Sequence, residues 1–230
     1  MKNWKKLVAI AVATMALVGL TSCQDLAKDA TVYVQGELDA VYLGKVNQEY
    51  LDVVEGMTEE DAKEKYKHNL EAEAEILLQY LGVEMPTDEV NQRAQNVVAE
   101  IYSHAKYTVA DAEKLKSGDI ASEVTVSPIE ILHLITQDTA DEVLTNVVEQ
   151  AGLSNEQLAN LSDADYQKLD EMYAMGLLDK LESLMPQLSY GTDQVVMLQM
   201  KKDDNGYYSL MESGIQKVDE VMIDYSGTYQ

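Results

Sequence analysis

Apolar positions recur every three to four residues along most of the chain, and in two places the period shortens to two. From about Thr31, Val34, Leu38, Val41, Tyr42 and Tyr50 fall at helical spacing, and Gly56 ends that segment. Thr58, with Asp61 three residues on, forms a weak capping box that opens a second helix. Ala62, Tyr66, Leu70, Leu77 and Leu81 line its face, and Gly82 stops it. Pro86-Thr87 opens a third helix striped by Val90, Ala94, Val97, Ile101 and Tyr102. At Tyr107 and Val109 the pattern becomes extended, and Ser117-Gly118-Asp119 reads as a turn. Ile120, Ser122, Val124 and Val126 then alternate with Ala121, Glu123 and Thr125, as in a half-buried strand, and Pro128 closes it.

The second half repeats the sequence of events. A helix is expected from about Thr139 to Gln150, stopping at Gly152, with cap-like pairs at Ser154/Gln157 and Ser162/Asp165. Tyr166, Leu169, Tyr173, Leu177, Leu181 and Leu184 stripe the helix after Ser162, which Pro186 ends. Val195 to Lys201 reads as a strand, Asp203-Asp204-Asn205-Gly206 as a hairpin turn and Tyr207 to Met211 as the returning strand. Ile215, Val218, Met222 and Tyr225 suggest a last short helix. Helices followed by a hairpin, twice over, predict a mostly helical α+β fold. Its two antiparallel hairpins would form a small sheet packed against helices. No strand–helix–strand unit repeats, which argues against a doubly wound sheet. The expected domain is 30–230, with a possible division into halves 30–135 and 136–230.

The first residues have a different character. Lys2, Lys5 and Lys6 precede an apolar run from Leu7 to Leu20, and Leu20-Thr21-Ser22-Cys23 has the form of a lipobox. The run is too short for the roughly 20 residues of a bilayer-spanning helix. It has the charged start, short apolar centre and small-residue junction of a signal peptide. Residues 1–22 are therefore expected to be a lipoprotein signal, with Cys23 the lipidated residue and 23–29 a polar tether. Attachment through lipid on Cys23, palmitate included, would place the domain on the extracellular face of the cell membrane.

Cleavage there removes three of 17 basic residues and none of the 41 acidic ones, leaving a formal charge of −27. So acidic a surface repels nucleic acid and anionic headgroups. With Cys23 the only cysteine, no disulfide is expected. The processed chain would have no Phe or Trp but 14 Tyr and nine Met, so its core must rest on aliphatic side chains, Met and half-buried Tyr.

The candidate chemistry is sparse. Asp203, Asn205, Gly206 and Glu212 match the third, fifth, sixth and twelfth places of a calcium loop, but Lys201 holds the first and the flanks read as strands. A plain turn is expected. His68, His104 and His133 have no partner at zinc-ligand spacing, and His133 is expected to be partly buried among Ile131, Leu132, Leu134 and Ile135. Glu60, Glu64, Glu71 and Glu75 follow one side of a helix, with Lys63 and Lys67 beside them, as on a solvated face. There is no Gly-x-Ser-x-Gly elbow and no glycine-rich phosphate loop. No catalytic, cofactor or metal residue is assigned. Tyrosines at helical spacing belong first to the core, and would line a pocket for an apolar or sugar-like ligand if the sheet curls around helices.

The lipobox is followed by the helix Val34-Gln35-Gly36-Glu37-Leu38-Asp39-Ala40 and the helix start Thr58-Glu59-Glu60. The junction Ile101-Tyr102…Tyr107-Thr108-Val109 and the strand end Val124-Thr125-Val126-Ser127-Pro128-Ile129-Glu130 come next. Together they give a chain that resembles the Gram-positive surface lipoproteins of the YcdA-like type, a domain of unknown function. That resemblance implies a lipid-anchored extracellular domain and supplies no catalytic residues. The ending, Val195 to Tyr225, also looks like the close of cystatin-like and NTF2-like domains. The resulting expectation is a non-catalytic binding or interaction module at the cell envelope, with an envelope protein or small ligand as partner and no nucleic acid. The alternatives are an envelope enzyme with an NTF2-like pocket and the solute-binding lipoprotein of a transporter.

Overall fold

The computed structural model describes residues 23–204 and 206–226. The expected signal, 1–22, lies outside the described residues. In chain order the elements are α1 (Cys23–Leu43), α2 (Gln48–Val53), α3 (Glu59–Tyr80) and α4 (Asp88–Ser103). Next come β1 (Lys106–Val109), β2 (Glu113–Lys114), β3 (Ile120–Ser127) and β4 (Ile129–Glu130). The helices α5 (Gln137–Ala151), α6 (Asn155–Leu158) and α7 (Asp163–Leu184) follow, then β5 (Ser189–Tyr190), β6 (Gln194–Lys202), β7 (Tyr208–Leu210) and α8 (Glu212–Met222). The α+β pattern is as expected, with an antiparallel sheet packed against helices. Among the described residues, no helix is long and apolar enough to cross a membrane.

The described chain divides into two units that interleave along the sequence instead of following halves at 30–135 and 136–230. The first takes residues up to 72, 102–129 and 190–223, and the second 73–101, 130–189 and 224 onward. The chain passes between them within α3 and α4 and at β4 and β5.

In the first unit, the two expected hairpins join through β3 and β6 into one antiparallel sheet of order β1-β3-β6-β7, with β2 also on β3. Ile120, Ser122, Val124 and Val126 of β3 are buried as expected and Glu123 is exposed, but Ala121, expected on the other face, is buried too. Val196, Leu198 and Met200 of β6 face the same way, toward α8, while α1 packs on β3. On the opposite face, Val195 and Met197 are 63% and 52% exposed.

Two expectations about α1 change. The helix includes 24–29, read from the sequence as a tether, because Leu26 and Ala30 extend its buried stripe through Tyr33, Val34, Leu38, Val41 and Tyr42. It also ends sooner, at Leu43. Gly44 takes φ +60°, a left-handed conformation that side chains resist, and Tyr50 belongs to a separate α2 capped by Asn47. The Tyr50 side chain packs directly against Gly36, where a Cβ would sit 2.3 Å from the ring.

In the second unit α5 packs on α7. Ser162 accepts from the Asp165 N–H at 3.2 Å, the expected start of α7. The buried face of α7 is turned from the expected one: Leu177 and Leu181 are buried, but so are Asp170, Ala174 and Leu178, while Tyr166 is exposed. Asp170 is drawn inward because its carboxylate accepts the backbone N–H of Glu84 and Met85 at 3.1 and 2.7 Å. Arg93 of α4 meets Asp179 and Glu182 of α7 at 2.9 and 2.5 Å.

Candidate functional site

A cleft of about 480 Å³ opens in the first unit along β1. Gln35, Asp39 and Leu43, spaced by four on α1, form one wall. Thr125 and Ser127 of β3, with Asp193, form the other, and Ala105 to Thr108 run between them. The alternation of β1 sends Tyr107 toward α1, where its hydroxyl donates to Asp39 Oδ1 at 2.6 Å. Gln35 Nε2 donates to the same oxygen at 2.9 Å. Ser127 Oγ donates to Asp193 Oδ1 at 2.7 Å. Lys106 Nζ sits 3.6 Å from the centre of the Tyr190 ring, a cation–π contact. Tyr190 is fixed in turn by its hydroxyl, which donates to the His104 carbonyl at 2.8 Å.

Burial, then the hydrogen bond to Asp39 and its charge, raises the Tyr107 pKa, so its hydroxyl stays protonated and acts as a donor. The cleft thus offers two carboxylates, a cation, hydroxyls, an amide and two apolar side chains, Leu43 and Ala105. These charged and hydrogen-bonding groups share the wall with a larger portion of apolar surface. No histidine or cysteine lines the cleft.

A second polar cluster is structural. Glu37 of α1 is buried and receives Lys65 Nζ of α3 on both oxygens, each at 2.8 Å, and the Tyr50 hydroxyl of α2 at 2.6 Å. Tyr33 stacks on Tyr50 with ring centres 6.3 Å apart. Burial and the Glu37 charge raise the pKa of both tyrosines well above the usual value. Three helices are pinned at one point. Elsewhere in this unit the Tyr42 hydroxyl donates to Asp219 of α8. In the second unit Tyr225 donates to Glu73 at 2.6 Å.

The residues weighed from sequence fall elsewhere. Cys23 opens α1, and its side chain lies outside the described residues. Glu60, Glu64 and Glu75 are exposed on α3 and Glu71 half-buried; Lys67 lies 3.7 Å from Glu71, and His68 lies 3.2 Å from Glu71 and 3.8 Å from Glu64. His104 is exposed. His133 is also exposed, not partly buried: the 3₁₀ turn Leu132–Leu134 sends Leu132 inward and the imidazole out. Asp203 closes the β6–β7 turn, accepting the Tyr207 N–H on Oδ1 at 2.8 Å. Asn205 lies outside the described residues. Glu212 starts α8 and accepts from Gln216 at 2.9 Å. The cleft residues Asp39, Lys106, Tyr107, Ser127 and Asp193 were not read as a site. The one local signal was Gln35–Asp39, a polar pair four residues apart on α1.

No family model and no curated protein matches the chain. Among solved structures it is similar to YcdA of Bacillus subtilis, a protein assigned as a lipoprotein, with a TM-score of 0.56 at 15% identity. The match covers 90% of this chain and 61% of that one. The two chains share a fold. This chain therefore spans about three fifths of the length of its structural neighbour.

Proposed function

We propose that the protein is a lipoprotein, anchored through Cys23 to the extracellular face of the cell membrane, and that its domain is a non-catalytic binding module. The observation that carries this reading is the lipobox Leu20-Thr21-Ser22-Cys23, whose cysteine opens α1, in a chain that shares its fold with a protein assigned as a lipoprotein. The make-up of the cleft supports recognition over proton transfer, since Asp39 and Asp193 already accept hydrogen bonds from Tyr107, Gln35 and Ser127. Cells fed an alkyne fatty acid should label the wild-type protein and leave Cys23→Ala unlabelled, and protease added to intact cells should remove the domain. Equal labelling of both proteins would end the lipoprotein reading.

A further inference from the structure

The cleft follows the edge of a sheet, and the strand pairing shows which backbone groups face it. In an antiparallel pair, opposed residues alternate between those that exchange hydrogen bonds and those that do not. The Ala110 N–H donates to the Glu123 carbonyl at 2.8 Å, so that opposed pair is of the bonded kind. Alternation along the register then makes Thr108↔Thr125 and Lys106↔Ser127 bonded pairs, and Tyr107↔Val126 and Val109↔Val124 non-bonded ones. The N–H and C=O of Tyr107 and Val109 therefore point away from β3. β3 is the neighbour of β1 in the sheet, so these groups face the open side of an edge strand.

Lys106, Tyr107 and Thr108 are consecutive, and all three line the cleft. Consecutive strand residues point to opposite faces, so the cleft wraps round the strand's edge, from α1 on one face to Thr125 and Ser127 of β3 on the other. An extended segment laid there would pair with the Tyr107 and Val109 backbone. Its alternate side chains would point toward the α1 wall, at Gln35 and Asp39, and toward Thr125, Ser127 and Asp193.

We infer that β1 accepts an extended basic peptide segment of an envelope partner protein by strand addition, with Asp39 and Asp193 receiving its Lys or Arg side chains. This rests on the binding-module reading and deepens it. Charge selects the occupant: the chain carries a formal −24, and the carboxylates of Asp39 and Asp193 stand one in each wall. Lys106 is drawn onto the Tyr190 ring. A second copy of this acidic chain would be repelled. The strand is four residues long and carries a lysine, features that keep an edge from pairing indiscriminately. Four residues span about 13 Å, so the partner's contribution is a short segment.

The test titrates a fluorescein-labelled Lys-Val-Lys-Val-Lys-Val peptide into the purified full-length protein, followed by polarisation and by amide chemical shifts. Saturable binding is expected, with shifts centred on 106–109. A Glu-Val repeat should bind at least tenfold more weakly, and so should the Lys-Val peptide to Asp39→Asn. A copy of the Lys-Val peptide methylated at every peptide nitrogen keeps its charges but has no N–H to give the Tyr107 and Val109 carbonyls, and it should lose binding. Equal binding of the methylated copy would mean ionic attraction alone and overturn strand addition. Shifts centred elsewhere, or no saturation, would overturn the site. Neither result bears on Cys23 labelling, which tests the anchored-lipoprotein reading separately.

Discussion

Replacing Lys65 with Met should destabilise the first unit more than any surface exchange, because it leaves Glu37 charged and buried. The two side chains are 14% and 11% exposed, and Lys65 lies 2.8 Å from a carboxylate oxygen. Removing one partner of such a pair costs about 3–5 kcal/mol. Glu37 would keep its Tyr50 hydrogen bond and a little water, so the lower end, about 3 kcal/mol, is expected. Glu37→Gln added to Lys65→Met removes the stranded charge and retains an acceptor for Tyr50. The double variant should thus be within about 1–2 kcal/mol of wild type, and more stable than Lys65→Met alone. Urea unfolding followed by circular dichroism reads this directly: at a slope of about 2 kcal/mol per molar, the Lys65→Met midpoint falls by roughly 1.5 M and the double variant recovers at least half. A Lys65→Met midpoint within experimental error of wild type would refute the argument. So would a double variant less stable than the single one.

The remaining predictions use other parts of the molecule. Tyr33, Tyr50, Tyr107 and Tyr225 all have folded-state pKa values raised above 10, first by burial. Their contribution is complete below pH 10 and declines as pH rises above it, by about 1.4 kcal/mol per tyrosine per pH unit. Urea midpoints should be flat from pH 8 to 9.5 and fall steeply by pH 11; a flat profile to pH 11 would contradict this. Asp170→Ala should cost about 1–3 kcal/mol by leaving the Glu84 and Met85 N–H groups without their acceptor, seen as a lower thermal midpoint. Asp170→Asn should cost less, since its amide oxygen still accepts.

Much of the fold was legible because its determinants are local. Thr58 and Asp61 cap each other, with Asp61 N–H to Thr58 Oγ at 3.2 Å and Thr58 N–H to Asp61 at 2.9 Å. Ser154 and Gln157 do the same. Strand alternation in β3 and the β6–β7 turn also follow from neighbours in sequence. Where the reading slipped, a distant partner decided. Asp170 rotates the buried face of α7 because the backbone it accepts from lies beyond α3. Tyr50 leaves the α1 pattern because its hydroxyl and ring serve Glu37 and Gly36 from a separate helix. The cleft needed the same information: Asp39, Lys106 and Asp193 come from α1, β1 and the approach to β6, and the antiparallel pairing of β3 with both strands brings the last two together.

The tyrosine–carboxylate pairs bear on which single-residue changes the chain can absorb. Tyr to Phe is ordinarily among the gentlest of exchanges, since shape and apolar area are kept. Here Tyr42, Tyr50, Tyr107 and Tyr225 each donate a hydrogen bond to an acidic side chain in a protein with more than twice as many acids as bases. A hydroxyl neutralises nothing, yet it solvates a carboxylate without calling on a scarce lysine. Losing that one oxygen leaves an anion with fewer donors, so the mildest aromatic swap becomes an electrostatic lesion. The 14 Tyr and absent Phe of this sequence then read as a donor supply, and a phenylalanine-scanning library should be depleted at these four positions while tolerating exposed Tyr207.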